Sequence, residues 1–402
     1  VKRGFIVGLD VGTTKICAVV GEVVNGELEI RGVSTSASKG LRKGVVVDIE
    51  STVESIKNAV KTAESFTGVE INAVYVGIAG SHIKGFNSYG AVGIRGKEVT
   101  CKDIERVIDS AKAVYVPLDR EVLHVIPAGY ILDGQDGIRD PSGMMGVRLE
   151  AKVYIVTGAV ASVQNLLKCC ERVGLEVVDI VFEPLASAEA ILTDDEKDLG
   201  VAIVDIGGGT TDIILYKNGC LRHTSVLAIG GNHFTNDIAV GLRVSVSEAE
   251  RVKKSFGFAI TSMVDDSEEI DIIQTGQGRK ILRRYLSEII QPRTEELLDL
   301  IKGELRSCSG YDIASTGVVF TGGGSLLEGL DRMAEALLGL PVRLGSPNDI
   351  EGCKDIINNP MYATGVGLVL YGLETEASRV FYPDAFTGIF GKMKDWVKGI
   401  FR

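Results

Sequence analysis

Val201-Ala202-Ile203-Val204-Asp205-Ile206-Gly207-Gly208-Gly209-Thr210-Thr211-Asp212 is the stretch on which the reading of this chain turns. Residues 201–204 form an apolar run of strand length, and residues 205–209 form a turn that glycine backbone makes without steric cost. Thr210, Thr211 and Asp212 open a second strand. A turn of this kind aims several backbone N–H groups at one point, which suits a phosphate, and glycine removes the side chains that would block its approach. Asp205 stands where it can orient a hydrated Mg²⁺, an ion that keeps most of its waters and takes one or two carboxylates. Read alone, the same residues also describe a tight hairpin with no ligand.

The pattern occurs twice. Residues 5–9 are a second apolar run, followed by Asp10-Val11-Gly12-Thr13-Thr14-Lys15 and another apolar run at 16–20. Each copy continues to a hairpin signal, Asn25-Gly26 in the first and Asn218-Gly219 in the second, 15 residues after Asp10 and 13 after Asp205. Two equivalent turns facing each other would grip one polyphosphate from both sides. A third glycine turn, Thr321-Gly322-Gly323-Gly324, follows the apolar run 317–320. It precedes an expected amphipathic helix at 325–338, started by a capping box at Ser325 and Glu328, whose free N–H groups would seat an α-phosphate or ribose.

At these residues the chain resembles the actin, sugar-kinase and heat-shock-chaperone ATPase superfamily. Within it, Leu123-His124-Val125-Ile126-Pro127, the segment 143–152, Gly230-Gly231-Asn232 and Pro292-Arg293 are similar to the bacterial cell-division FtsA family, and the resemblance spans nearly the whole chain. It implies an α/β, actin-like two-lobed fold of two duplicated sheet-plus-helix halves (ribonuclease-H-like), with an inserted subdomain called 1C and a C-terminal amphipathic helix. The implied division is 1–81 with 159–197 and 358–377 as subdomain 1A, 82–158 as 1C, 198–229 with 303–357 as 2A, and 230–302 as 2B. A linker at 378–384 and a membrane-targeting helix at 385–402 complete it.

The resemblance also implies roles. ATP and Mg²⁺ would lie between the halves, with Asp10 and Asp205 orienting the metal through water. Gly12, Thr13, Thr14 and Lys15, with Gly207, Gly208, Gly209 and Thr210, would hold phosphate, and Gly322, Gly323 and Gly324 the adenosine side. Glu250 and Lys253 match the ribose-hydroxyl contact; as plain residues they are an i, i+3 surface pair. Glu183 falls where the superfamily often places a group near the attacking water; read by itself it is a helix N-terminal acid favoured by the dipole. Arg293 and Glu296 sit in the motif that docks the C-terminal peptide of FtsZ, and are otherwise a solvated helix face. The further implied partners are other copies of the chain in filaments, anionic membrane lipids and later divisome proteins. The implied place is the cytoplasmic face of the membrane at the septum.

Composition bounds these expectations. With 402 residues and 45% hydrophobic content the chain buries a large core. A net charge of −11 argues against general nucleic-acid binding, which needs a basic face. Seven cysteines without a C-x-x-C pair, beside four histidines, read as reduced thiols rather than a zinc site. Neither a signal peptide nor a membrane span is expected. His82 reads as a loop histidine satisfied by backbone, with ligand contact as the other reading. The elements expected next are a helix at 101–113 opened by a capping box at Thr100 and Asp103, separate strands at 121–126 and 129–132, and a helix at 278–302 kinked or split by Pro292. A polar link is expected at 374–384.

The end of the chain carries an independent signal. Phe386, Ile389, Phe390, Met393, Trp396, Val397, Ile400 and Phe401 recur at spacings of three and four. Lys392, Lys394, Lys398 and Arg402 lie opposite, so the locally basic face sits on the strongly amphipathic tail. Large aromatics beside lysines are the residue types of a membrane interface, although such stripes also pack onto protein bodies. A metabolite kinase of the same superfamily is the competing enzyme reading, but it gives no reason for the basic tail. A chaperone would need a substrate domain after residue 384, and a pilus-assembly actin homologue would lack the tail.

Overall fold

A computed structural model describes residues 4–381 apart from 25, 275, 309–311, 313 and 349. β1 (Phe5–Val11) is buried at every position after Phe5, as a central strand covered on both faces must be. It pairs antiparallel with β2 (Lys15–Val24), which pairs antiparallel with β3 (Glu27–Ala37). The small hairpin β4 (Leu41–Arg42) and β5 (Val45–Val46) follows. Then comes α1 (Ile49–Thr67), capped by Asp48 at its start and by left-handed Gly68 at its end. β6 (Ala73–Ile78) lies parallel to β1.

The chain next leaves this sheet. β7 (Lys84–Gly93), α2 (Cys101–Lys112), β8 (Arg120–Leu132), β9 (Gln135–Ile138) and β10 (Arg148–Ala159) make a separate sheet, ordered β7-β10-β8-β9, with its own apolar core around Val107, Leu149 and Val153. α3 (Val160–Val173) leads back to β11 (Glu176–Phe182), parallel to β6. α4 (Glu183–Ile191) and α5 (Asp194–Leu199) carry the chain to the second half.

There β12 (Val201–Ile206), β13 (Thr211–Lys217) and β14 (Cys220–Leu227) repeat the opening meander. α6 (Gly231–Leu242), α7 (Val246–Phe256), the hairpin β15 (Glu269–Gln274) and β16 (Gln277–Leu282), and α8 (Arg283–Ser307) follow. β17 (Val318–Thr321) and β18 (Val342–Leu344), separated by the helix Leu330–Leu338, add parallel strands beside β12. β19 (Glu351–Gly352) returns to β3, and the helix Ala363–Phe381 crosses back against α4 and β1. The orders β3-β2-β1-β6-β11 and β14-β13-β12-β17-β18 match strand for strand, with the same directions. The duplication expected from two turns therefore extends to whole sheets. Asn218 and Gly219, both at positive φ, close the second copy's hairpin; in the first copy Gly26 has φ +93°, while Asn25 lies outside the described residues.

Several expectations need correction. β8 is one strand, with a register shift between its partners Lys152 and Val153 that leaves Ala128 without a partner in the register beside Pro127, which has no N–H to give the ladder. Residues 278–282 belong to β16, since a two-residue turn sets Gln277 opposite Gln274. α8 runs through Pro292 as one helix, with Ile290 and Thr294 buried on either side. The helix expected at 325 begins at Leu330 after left-handed Gly329. Ser325 Oγ donates to Gly322 O at 2.7 Å instead of capping, and the intervening residues 323–326 form a 3₁₀ turn. Residues 374–381, read as part of a polar link, continue the last helix. The aromatic and basic tail from Phe386 to Arg402 lies outside the described residues. The capping box at Thr100 and Asp103 is present as expected.

Gly367 shows what holds the last helix in place. A Cβ there would stand 1.8 Å from the Ala186 carbonyl oxygen of α4, backbone against backbone. Gly367→Ala should therefore lower stability to urea by about 3 kcal/mol. Gly303→Ala, in an exposed turn of α8 with nothing within 4 Å, should raise it by up to about 1 kcal/mol. Equal effects of the two would remove the packing argument.

Candidate nucleotide-binding site

Both hairpin turns have the same construction. Gly12 N donates to Lys15 O at 3.1 Å in the first, and Gly207 N donates to Thr210 O at 2.9 Å in the second. The register then sets Asp10 opposite Cys17 and Asp205 opposite Asp212. The turns also meet. A Cβ on Gly208 would lie 1.8 Å from Thr14 Oγ1, and one on Gly209 would lie 2.8 Å from Thr13 Oγ1, so no other residue allows this approach.

Around the meeting point stand the acids. Asp10 accepts from Lys15 Nζ at 3.2 Å, and the ammonium also lies 5.4 Å from the centre of the Tyr362 ring. Burial works against the charge of Lys15, but Asp10 beside it holds its pKa above the ordinary lysine value. Asp205 accepts from Ser187 Oγ at 3.1 Å, and Ser187 Oγ is 3.0 Å from Thr364 Oγ1. Burial, with repulsion from Asp10, pushes the Asp205 carboxyl up to about 6. Glu183, the first residue of α4, lies against the backbone of Gly77 on β6. Its pKa is raised well above the carboxylate range by burial and by Asp10, Asp212 and Asp205.

Asp212 is the residue sequence reasoning missed. It is buried, its Oδ2 accepts from Thr210 Oγ1 at 3.2 Å, its Oδ1 has no partner, and burial with repulsion from Asp205 pushes its carboxyl up to about 8. The signal was available: in a tight hairpin with Gly207 bonded to Thr210, the residue opposite Asp205 must be Asp212.

The other expected residues divide. Gly322, at φ +80°, packs on the second turn: a Cβ there would lie 2.2 Å from Asp205 Oδ1, and one on Gly324 would lie 2.4 Å from Ile206 Cγ2. Gly323 faces Met361 more loosely. The helix at Leu330 starts too late to place its N–H groups as expected. Glu250 and Lys253 are not a bare surface pair. Lys253 Nζ is 2.6 Å from Glu250 Oε2 and donates to Gly231 O and Thr235 Oγ1 at 3.0 and 2.8 Å, on the opening turn of α6. Gly231 N and Asn232 N in turn donate to the carbonyls of Gly207 and Gly208.

Arg293 and Glu296 stand apart from the turns. Arg293 Nε and Nη2 donate to Asp237 Oδ2 and Oδ1 of α6 at 2.6 and 3.0 Å, and its other terminal nitrogen pairs with Glu296. His82 corrects its expectation: its backbone oxygen accepts from Arg120, but neither ring nitrogen has a partner, and burial with the Arg120 charge lowers its pKa to about 4.

Relatives with this sequence pattern are division proteins. Two family models match, "Cell division protein FtsA" over residues 202–367 and "SHS2 domain inserted in FTSA" over residues 80–157. The chain is 46% identical to cell division protein FtsA of Pseudomonas aeruginosa, over 98% of each chain. It is 41% identical to FtsA of Escherichia coli, over 93% of this chain and 91% of that one. This chain belongs to the FtsA family. Its SHS2 domain takes in the sheet β7-β10-β8-β9 and α2. The fold is actin-like, as solved structures agree. The PilM-PilN type IV pilus biogenesis complex matches with a TM-score of 0.68 at 17% identity, covering 92% of this chain and 98% of that one. MreB5 of Spiroplasma citri bound to ADP matches with a TM-score of 0.56 at 17% identity, covering 94% and 98%.

The acids of this FtsA-family site have a measurable signature. Asp212 has a raised folded-state pKa, so the folded protein binds more protons than the unfolded chain as pH rises from about 4 to 8. Its contribution is present at low pH and lost across that window. Asp212→Asn should therefore flatten the fall in stability of the ligand-free protein over this window and raise its stability at pH 8 by on the order of 2 kcal/mol. Urea midpoints at pH 5 and pH 8 measure this; an unchanged slope would show that Asp212 ionises normally.

Proposed function

We propose that this chain is an ATP- and Mg²⁺-binding division protein that polymerises and tethers FtsZ filaments to the cytoplasmic face of the membrane at the septum. The observation that carries the nucleotide part is the meeting of two duplicated glycine turns over Asp10, Glu183, Asp205 and Asp212. A buried carboxylate oxygen without a partner, Asp212 Oδ1, and an Asp205 carboxyl raised to about 6 by burial and by Asp10 support a place for a cation. Asp10 and Asp205 would hold Mg²⁺ through its waters, with Asp212 and Glu183 turned to the same water shell. The turns Gly12 to Lys15 and Gly207 to Thr210 would hold the phosphates, through the N–H groups not already closing each turn, with Glu250 and Lys253 at the ribose and Gly322 to Gly324 at the adenosine side.

Bound Mg²⁺ would supply charge neutralisation for the phosphates. The protein's own part is to orient water through Glu183, a role that gives slow turnover at most. The FtsZ peptide would dock at α8 by Arg293 and Glu296. Subdomain 1C, residues 82–158, would carry contacts to neighbouring copies and to later divisome proteins, and the division into 1A, 1C, 2A and 2B follows the expected boundaries. The basic, aromatic tail at 385–402 would lie in the headgroup region of anionic lipids, each lysine worth roughly 1 kcal/mol near the surface. Among the described residues no helix is long and apolar enough to cross a membrane.

Sedimentation with anionic liposomes tests the whole reading. The intact chain should pellet with liposomes and bring FtsZ with it, more so with ATP and Mg²⁺, while a chain ending at Asp384 stays in the supernatant. Arg293→Glu should still pellet but bring down FtsZ at least about tenfold less well. If intact and shortened chains behave alike, the tail is not a membrane anchor and the tether reading falls.

A further inference from the structure

The tip of the β4-β5 hairpin breaks a local rule at the point where both phosphate turns converge. Arg42 pairs with Val45, so Lys43 and Gly44 are the two central residues of the turn, at φ +52° and +76°. That is the type I′ geometry, which favours Asn, Asp or Gly at the first position. Among the described residues two other such turns comply, Asp133-Gly134 between β8 and β9 and Asn218-Gly219 between β13 and β14. A lysine in the left-handed region is the exception, and such exceptions gather where function overrides local preference.

The surroundings show what the tip touches. Gly44 N donates to Thr13 Oγ1 at 3.0 Å, so the turn is bonded to the first phosphate turn. Ser38 N, at the approach to the hairpin, donates to Thr14 O at 3.0 Å. On the other side a Cβ on Gly209 would stand 3.1 Å from Lys43 Cα, so the tip also rests on the second phosphate turn. From beneath, the Lys43 carbonyl and Gly44 lie against Ala79 and Gly80, the loop after β6. One residue thus touches an element of each lobe at the seat of the phosphates.

Charge completes the argument. The site gathers four acids, and its two described ammonium groups are already committed, Lys15 to Asp10 and Lys253 to Glu250. The Lys43 side chain is half-buried and makes no hydrogen bond or ion pair among the described residues. A triphosphate brings more negative charge than one Mg²⁺ cancels, and a cation at its end forms charge-assisted hydrogen bonds. We infer that Lys43 is a phosphate-sensing residue whose ammonium contacts the terminal phosphate of a bound nucleoside triphosphate, so that the β4-β5 hairpin distinguishes triphosphate from diphosphate. This rests on the nucleotide reading above.

Titration of the full chain with fluorescent ATP and ADP analogues, with Mg²⁺ present, tests it. Lys43→Asn suits the left-handed turn and removes the charge together with the reach of the side chain; its unfolding temperature should equal or exceed that of the unaltered protein. Its affinity for the ATP analogue should fall about tenfold and for the ADP analogue less than about threefold, and Lys43→Arg should restore most of the ATP affinity. An Asn variant that binds ATP as well as the unaltered protein, or that loses ATP and ADP equally, overturns the assignment while leaving the nucleotide site standing. If the unaltered protein binds neither analogue, the nucleotide reading fails and takes Lys43 with it.

Discussion

Four carboxyl groups, those of Asp10, Glu183, Asp205 and Asp212, gather at the two glycine turns with the Lys15 ammonium paired to one of them, and the construction of both lobes follows from that constraint. Burial and, after it, repulsion among the acids raise the pKa values of Asp212, Glu183 and Asp205 in the ligand-free protein, which favours their protonated forms. Protonation relieves the repulsion without finding each oxygen a partner, as Asp212 Oδ1 shows. A core designed for stability alone would carry apolar residues here, because uncompensated buried acids destabilise.

The two copies of the hairpin are equal in backbone and unequal in charge. Where the first has Lys15 and Cys17, the second has Thr210 and Asp212. The first hairpin therefore contributes the cation and the second the heavier acid load, and Lys15 opposes the rise in the pKa of Asp205 that burial causes. The two turns are thus alike in backbone and differ in charge at two positions.

How much of this the sequence shows depends on the distance over which each feature is fixed. The turns were legible because glycine runs, a preceding acid and Asn-Gly signals all lie within some fifteen residues. The capping box at Thr100 was legible for the same reason. Asp212 required knowing the hairpin register, and the late start of the helix at Leu330 depended on the φ of Gly329 and on Ile206 crowding Gly324. β16 was mistaken for helix because Ile281, Leu282 and Tyr285 satisfy a helical spacing that the pairing with β15 overrides. The link from Arg293 to Asp237 spans 56 residues and has no periodic signature at all.

That last ion pair also explains how distant parts of the second lobe are held in register with the turn. α6 gives its first N–H groups to the carbonyls of Gly207 and Gly208, and Gly230 is required because a Cβ there would meet Gly207 O at 2.6 Å. Six residues further along, roughly 9 Å up the helix axis, Asp237 grips Arg293 through two nearly parallel hydrogen bonds. A bidentate guanidinium pair fixes orientation as well as distance. The carbonyls of the second glycine turn hold the start of α6, and α6 holds the stretch of α8 around Arg293. The second glycine turn and the stretch of α8 that bears Arg293 and Glu296 are thus joined by one helix, bonded at its start and again in its middle.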